Sequence, residues 1–308
     1  MNESQKQDFL SSLKSIETEN FLDRIFYRPI GYRLALLLRG TGITPNVITI
    51  ISIFFGVGAG YFFYPIGLLK GESLIYPQIL WFNVIGIILL IIANILDCVD
   101  GQLARLTGIK SVVGRVLDGV AGDLWFVSIY FFLALRLSPE IGTGWAWTLA
   151  ALAGASNLVQ ANLTDYYKTL HLFFISLKQG AEFETTEKVR TKYLSMKRGI
   201  NRVMYWLYLY YTILQTKITP QLQKLLVRLK AKYGEDFPED VRLRLRKKNL
   251  ETMPFINMTT FNGRSVVMII SLCIGMPWIY LVYEIVILNI ILFAALLRHE
   301  ENCKRFEV

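Results

Sequence analysis

The stretch between residues 97 and 123 carries the side chains that are best suited to chemistry. It reads DCVDGQLARLTGIKSVVGRVLDGVAGD and contains four aspartates, Asp97, Asp100, Asp118 and Asp123. Apolar runs flank it, WFNVIGIILLIIANIL before it and LWFVSIYFFLAL after it. An aspartate at the centre of a membrane helix costs roughly 2.5 to 3.5 kcal/mol on insertion scales. Several carboxylates at the ends of two such helices therefore need a compensating charge, and a metal ion is the group that the pattern favours.

The spacing of these residues places them on common helix faces. Positions i, i+3, i+4, i+7 and i+8 of one face are occupied by Asp97, Asp100, Gly101, Ala104 and Arg105. Gly114 and Asp118 repeat the i, i+4 spacing on the next helix. Carboxylate oxygens with no His or Cys as a partner ligand select Mg²⁺, Mn²⁺ or Ca²⁺ over zinc. A divalent ion held by carboxylates beside an arginine is suited to binding a diphosphate.

The pattern DxxDGxxAR, then eight residues, then GxxxD, resembles the signature of the CDP-alcohol phosphotransferase family, whose members are integral-membrane phospholipid synthases. Seven positions match in type and spacing: Asp97, Asp100, Gly101, Ala104, Arg105, Gly114 and Asp118. The resemblance implies transfer of a phosphatidyl or phospho-alcohol group from a CDP-linked donor, such as CDP-diacylglycerol, to the hydroxyl of a small alcohol, with release of CMP. It also implies a homodimer.

The resemblance assigns roles to the matching positions. It implies Mg²⁺ or Mn²⁺ held by the aspartates Asp97, Asp100 and Asp118, with Asp123 as a fourth ligand. It implies that Gly101, Ala104 and Gly114 leave room for the cytidine nucleotide, and that Arg105 pairs with phosphate. Asp123 is expected to be the general base for the attacking hydroxyl, with Asp118 or a metal-bound water as the alternative.

The sequence departs from the family pattern at the fourth acid. The family places this aspartate four residues after the third, where this chain has Gly122, and the next carboxylate is Asp123. In an ideal α-helix one extra residue turns a side chain by about 100°. A π-bulge could absorb the extra residue, and the glycines at 119 and 122 make the backbone permissive.

Composition predicts an all-α integral membrane protein. Of 308 residues, 53% are hydrophobic, and the mean hydropathy is +0.40. Six apolar segments are expected to span the membrane, at 46–68, 79–99, 112–135, 145–164, 262–276 and 278–298, and five spans are the alternative. The predicted domains are a cytoplasmic N-terminal region at 1–45, four spans with the motif at 46–165, a cytoplasmic helical insertion at 166–255, and the last two spans with the tail at 256–308.

Two charged regions are expected to lie at the membrane surface. Residues 15 to 39 alternate apolar and basic side chains and predict an amphipathic interfacial helix, with a soluble packed helix as the alternative. The insertion holds 18 Lys or Arg and an aromatic run at 204–214, MYWLYLYYTIL. We interpret it as two or three interfacial helices, with the basic run at 242–248 as a lipid anchor. Nucleic-acid binding is disfavoured because the aromatics do not interleave with the basic residues.

Basic residues also predict the orientation and leave the acceptor open. The segments that join spans one to two and three to four contain few basic residues, namely Lys70 and Arg136. Basic residues are enriched on the cytoplasmic side of membrane proteins, so both termini and the motif are predicted to face the cytoplasm. Lys110, Arg115, Arg264 and Arg298 could hold an anionic acceptor, such as glycerol phosphate or inositol phosphate.

Several expectations concern residues outside the motif. The polar residues of the fourth span, Asn157, Gln160, Asn162 and Asp165, line the acceptor pocket or bond neighbouring helices. The two histidines, His171 and His299, are expected at the surface, and Cys98 is expected to pack. An inactive scaffold of the same fold and a transporter are the other functional hypotheses, although no internal repeat favours the transporter.

Overall fold

The computed structural model describes residues 3–65, 76–109, 112–176, 180, 183–234 and 236–308. All the regular secondary structure in these residues is helical. The first helices are α1 (Glu3–Ser11), α2 (Arg28–Leu38), α3 (Pro45–Phe62), α4 (Tyr76–Thr107), α5 (Val112–Ile141) and α6 (Thr143–Ile175). The following helices are α7 (Thr186–Ser195), α8 (Ile200–Ile218), α9 (Pro220–Tyr233), α10 (Glu239–Leu250) and α11 (Met253–Met258). The last are α12 (Phe261–Cys273), α13 (Trp278–Val282), a π-helical turn (Tyr283–Ile287) and α14 (Leu288–Arg305).

Within the described residues, four stretches of helix are long and apolar enough to cross a membrane. They are Pro45–Phe62, Pro77–Thr107, Val116–Ile141 and Trp278–Arg305. These stretches overlap four of the six predicted spans and identify an integral membrane protein. The predicted span at 145–164 lies inside α6, and the one at 262–276 corresponds to α12, which is a shorter apolar helix. The count of six spans therefore stays a prediction.

The chain divides into two compact units. The first comprises Met1–Leu158 and Phe261–Ile287, and the second comprises Val159–Thr260 and Leu288–Val308. The core of the first unit is built from α3 to α6 together with α12 and α13, and its largest buried side chains include Phe63, Ile129 and Tyr280. This unit contains every residue of the motif.

Small residues allow α3 and α5 to approach each other closely. A Cβ placed on Gly60 would lie 2.8 Å from the backbone nitrogen of Ile129, and a Cβ on Gly56 would overlap the Trp125 indole. The Ser128 hydroxyl donates a hydrogen bond of 2.9 Å to the Val57 carbonyl. Close backbone approach at glycines is a common way for membrane helices to associate. It fixes α5, which carries Asp118, against α3.

The N-terminal region is less regular than a single amphipathic helix. Between residues 15 and 39 the chain forms a 3₁₀ turn (Ile16–Thr18), a π-helical turn (Asp23–Tyr27) and α2. Residues 21 to 38 are helical without a break, and the amphipathic helix at the membrane surface stays a prediction. The apolar side chains of Phe21 and Ile25 are exposed, at 68% and 58%. This exposure favours contact with lipid over packing as a soluble helix.

Arg136 differs from its predicted position between two spans. Helix α5 continues to Ile141, and Arg136 is only 6% exposed. Its guanidinium donates to the side-chain oxygen of Asn83 at 2.8 Å and to the Phe63 carbonyl at 3.1 Å. Arg136 is therefore a buried structural cation. Of the two basic residues that were assigned to the loops between spans, only Lys70 remains, and it lies outside the described residues.

The second unit has its own core, in which α9 buries Leu222, Leu225 and Leu229. Helix α8 ends at Ile218, α9 begins at Pro220 and ends at Tyr233, and α10 begins at Glu239. The described part of the insertion contains more helices than the two or three expected, since α7 to α10 lie within it and α11 begins in it.

Side chains of the insertion that were predicted to meet the membrane differ in their environment. Trp206 and Tyr210 on α8 are exposed, at 53% and 61%, as an interfacial role requires. Arg242, in contrast, is buried, and its guanidinium pairs with Asp236 at 2.7 Å and donates to the Phe173 carbonyl at 2.9 Å. The prediction of a lipid anchor at 242–248 is therefore wrong for Arg242.

Candidate metal centre

Three carboxylates of the motif come together where α4 and α5 meet. One oxygen from each of Asp97, Asp100 and Asp118 lies within 4.8 Å of the others. Asp97 and Asp100 are one turn apart on α4, and Asp118 comes from α5. The helix-face argument placed Asp97 and Asp100 together, and the family resemblance added Asp118, along with Asp123, to the predicted ligands.

The three carboxylates fit a divalent cation. Two unit charges 4.8 Å apart repel each other by roughly 3 to 4 kcal/mol at an effective dielectric constant of 20. Asp100 is only 3% exposed, so water screens it poorly. A cation bound among the three would relieve this repulsion, and hard carboxylate oxygens are the ligands that Mg²⁺ and Mn²⁺ prefer. The family resemblance predicted the same two ions.

Asp123 does not belong to this group of three. Helix α5 is α-helical at every residue from Val112 to Ile141, so no π-bulge brings Asp123 back to the Asp118 face. A Cβ added at Gly122 would meet no other atom within 4 Å, which leaves open space where the family has its fourth aspartate. The roles of Asp123 as metal ligand and base stay predictions.

Arg105 and Gln102 bind the N-terminal region. The Arg105 Nε–H donates to the carbonyl of Ser12. The Gln102 amide donates to the Ser12 hydroxyl at 3.1 Å and to the Arg28 carbonyl at 3.2 Å. The expected pairing of Arg105 with phosphate stays a prediction, and what the structure adds is a connection between the motif helix and the N-terminal region.

The glycine and alanine positions of the motif differ in what surrounds them. The Arg105 guanidinium lies over Gly101, 3.3 Å from where a Cβ would be. A larger residue at Gly101 would push this guanidinium away from the helix. The predicted contacts of Gly101, Ala104 and Gly114 with a nucleotide stay predictions. Cys98 is buried, as expected of a packing residue.

A second cation, Arg28, is fixed beside the motif helix. It forms an ion pair with Glu19 at 3.1 Å. Burial alone would lower the pKa of Arg28, but the negative groups around it, Glu19 and Asp23 among them, raise its pKa above the ordinary value. Arg28 therefore keeps its charge and joins the two parts of the N-terminal region.

The polar residues of α6 bond neighbouring helices, which was one of the two predicted roles. Asn157 donates to the Tyr130 hydroxyl at 2.8 Å in the first unit. In the second unit, Gln160 donates to Asn289 at 2.9 Å and Asn162 to the Tyr211 carbonyl at 3.5 Å. Asp165 is exposed. The other predicted role of these side chains, to line an acceptor pocket, stays a prediction.

Two of the predicted acceptor-binding cations already have protein partners. Arg264 is 2% exposed and pairs with Glu284, which is fully buried, at 3.1 Å. Arg298 pairs with Glu251 at 3.4 Å. Lys110 and the side chain of Arg115 lie outside what the structure describes.

The histidines are not at the surface, and that expectation was wrong. His171 and His299 are 0% and 3% exposed. In the second unit, the His299 ring packs edge-on against Tyr167, with centroids 4.5 Å apart, and its Nε2 lies 3.5 Å from the Cys303 sulfur. Burial in an aromatic environment indicates a packing role.

One residue near the carboxylates was missed in the sequence. Thr49 on α3 donates a 2.6 Å hydrogen bond to the Asp100 carboxylate from 51 positions away. A single threonine in an apolar run gives no local signal of such a contact.

Comparisons with known proteins agree with this site. A protein 35% identical over 103 residues is the archaetidylinositol phosphate synthase of Pyrococcus horikoshii, and the match covers 33% of this chain and 47% of that protein. The chain thus spans about half the length of this curated relative. The family model described as CDP-alcohol phosphatidyltransferase matches residues 42–214, which include α3 to α6 and all three clustered aspartates. This match extends over more than half of the chain, and the chain therefore belongs to the CDP-alcohol phosphatidyltransferase family.

Proposed function

We propose that this protein catalyses a metal-dependent step of phospholipid synthesis. It would transfer a phosphatidyl group from a CDP-linked lipid, with CDP-diacylglycerol as the first choice, to the hydroxyl of a phosphorylated polyol. The observation that carries the proposal is the group of three carboxylates, whose nearest oxygens lie within 4.8 Å of one another. This group lies inside the region that matches the family.

Asp97, Asp100 and Asp118 would hold Mg²⁺ or Mn²⁺. The ion, when bound, neutralises the donor diphosphate and makes its phosphorus more electrophilic. The acceptor oxygen forms a bond to the lipid-bearing phosphorus, and the bond from this phosphorus to the bridging oxygen breaks, so that CMP leaves with the electron pair. Positioning and charge stabilisation supply most of the rate in such transfers.

Asp123 would accept the proton of the attacking hydroxyl. It lies on α5, one residue after the position of the family's fourth acid, and five residues after Asp118. A base within hydrogen-bond reach of a hydroxyl contributes about 10²- to 10⁴-fold to such a reaction. If Asp123 does not reach the hydroxyl, Asp118 takes this role.

The acceptor is proposed to be an inositol phosphate in preference to glycerol phosphate. The relative from Pyrococcus horikoshii is named for synthesis of an inositol-phosphate lipid. A phosphorylated acceptor needs cations to bind it, and the chain carries a formal net charge of +9. The active site would face the cytoplasm, where CDP-linked donors are made, and the protein would be a homodimer like other members of its family.

The test is CMP release by the detergent-purified protein with CDP-diacylglycerol and Mg²⁺ or Mn²⁺. The acceptor panel contains inositol phosphate, glycerol phosphate and unphosphorylated inositol and glycerol, and a parallel series uses CDP-linked head groups with diacylglycerol. We expect metal-dependent release that one phosphorylated polyol stimulates and that Asp118→Asn abolishes. Release driven only by an unphosphorylated alcohol would overturn the acceptor assignment.

An inactive scaffold is the second candidate, and the displaced fourth acid favours it. Position 122 is glycine, and Asp123 does not belong to the group of three. A scaffold would release no CMP with any donor and acceptor of the panel. Gly122→Asp, which places an aspartate where the family has its fourth acid, would then be the variant to examine for activity.

A further inference from the structure

The hydrogen bond between Thr49 and Asp100 joins the first membrane helix to the metal centre. The Thr49 Oγ1 lies 2.6 Å from Asp100 Oδ2. Both side chains are buried, with exposures of 2% and 3%. A short hydrogen bond from a hydroxyl to a carboxylate, shielded from water, is among the stronger ones that a protein makes.

The hydroxyl of Thr49 has a second possible acceptor. Its oxygen lies 3.1 Å from the Pro45 carbonyl, which is the ordinary i−4 contact of a threonine in a helix. A hydroxyl has a single proton to donate. The shorter distance and the charge of the carboxylate direct this proton to Asp100.

The bond restricts the carboxylate in a way that matters for a metal. A carboxylate can rotate about its Cβ–Cγ bond, and a fixed donor on one oxygen limits that rotation. Ligands of bound metals are commonly oriented by such outer hydrogen bonds, whose loss costs about 10- to 100-fold in metal affinity. Thr49 lies on α3, so this contact reaches Asp100 from a different helix.

We propose that Thr49 is a positioning residue for the metal centre. Its hydroxyl holds Asp100 in the orientation that meets Asp97 and Asp118, and thereby sets the affinity for the divalent cation. The inference rests on the proposed metal site, and its test measures metal binding separately from transfer.

The experiment is a titration of the purified protein with Mn²⁺, without donor or acceptor, in which free Mn²⁺ is followed by electron paramagnetic resonance. Thr49→Val removes the hydroxyl at nearly constant shape and is expected to weaken Mn²⁺ binding by about 10- to 100-fold. Thr49→Ser keeps a hydroxyl and is expected to bind Mn²⁺ close to the wild-type affinity. Wild-type affinity in Thr49→Val would overturn the proposal.

Ser52→Ala is the matched control. Ser52 is a buried hydroxyl on the same helix, and it donates to the Thr49 carbonyl at 2.7 Å rather than to the carboxylate. It is expected to leave Mn²⁺ affinity unchanged, and an equal loss in Ser52→Ala and Thr49→Val would assign the effect to the helix and refute a specific role of Thr49.

A second comparison keeps the proposal testable if Thr49→Val folds poorly. In an Asp100→Asn background the carboxylate is already gone, so Thr49→Ala should weaken Mn²⁺ binding no further, although it weakens binding in the wild-type background. Additive losses would refute the proposal. Mn²⁺ binding that depends on Thr49 without any CMP release would retain the positioning role and reject the proposed function.

Discussion

The position of the general base can be tested by moving a carboxylate along α5. Asp123→Asn keeps the size of the side chain but removes its basicity. Since a general base contributes about 10²- to 10⁴-fold, we expect the rate of CMP release to fall by that factor. This corresponds to about 3 to 6 kcal/mol of transition-state stabilisation, at about 1.4 kcal/mol for each factor of ten.

The second step restores a carboxylate one residue earlier. Gly122→Asp places it four residues after Asp118, on the same face of an uninterrupted α-helix. The added Cβ meets no described atom within 4 Å, so the position has room for the start of a side chain. Repulsion between like charges at i and i+4 is worth only a few tenths of a kcal/mol on an exposed helix. We expect Gly122→Asp to recover activity in the Asp123→Asn background.

A matched control separates the restored carboxylate from the added side chain. Gly122→Asn introduces a side chain of the same size at the same position of α5, without the carboxylate. It should not recover the activity of Asp123→Asn. Full activity of Asp123→Asn alone would refute the assignment of Asp123 as base, and equal recovery by Gly122→Asp and Gly122→Asn would refute the role of a restored carboxylate.

The remaining predictions concern packing, the buried ion pair and the metal. Gly60→Ala places a Cβ 2.8 Å from the backbone nitrogen of Ile129 and should destabilise the detergent-solubilised protein in thermal unfolding by about 1 to 3 kcal/mol. Gly58→Ala, whose Cβ has its nearest neighbour at 3.7 Å, should be close to neutral. Equal effects of the two substitutions would contradict the close approach of α3 and α5. Glu284→Gln removes the carboxylate that pairs with the buried Arg264 and should cost about 3 to 5 kcal/mol in the same assay. The double change of Glu284→Leu with Arg264→Met should cost less, and a larger, additive loss would argue against the pair. Removal of divalent ions with a chelator should abolish CMP release, and Mg²⁺ or Mn²⁺ should restore it, whereas activity that persists in the chelator would reject the metal role.

Helix periodicity explains why the metal centre could be predicted from the sequence. Asp97 and Asp100 need only a regular α4 to point the same way, and Asp118 needs α5 to begin soon after α4 ends. Apolar runs of sufficient length made both helices predictable. The three carboxylates meet in the structure as the spacing indicated.

Contacts between distant parts of the chain could not be predicted in this way. The buried environments of Arg136, Arg242 and His171 depend on which helices surround them, and no local pattern states this. Judged by residue type alone, Arg136 was consistent with a loop between two spans and Arg242 with a contact to lipid head groups. Residues 15 to 39 likewise make a contact with the motif helix that no local pattern states, since the Gln102 amide donates to the Arg28 carbonyl.

The N-terminal region thus has a closer connection to the chemistry than its sequence indicates. Gln102 and Arg105 lie in the same stretch of α4 as Asp97 and Asp100, and both donate hydrogen bonds to Ser12. The Asp100 carboxylate accepts a hydrogen bond from Thr49 of α3. The helix that carries two of the clustered carboxylates is therefore contacted by two elements outside the DxxDGxxAR pattern. A family signature identifies the groups that would bind the metal, but it does not contain the residues that contact their helix.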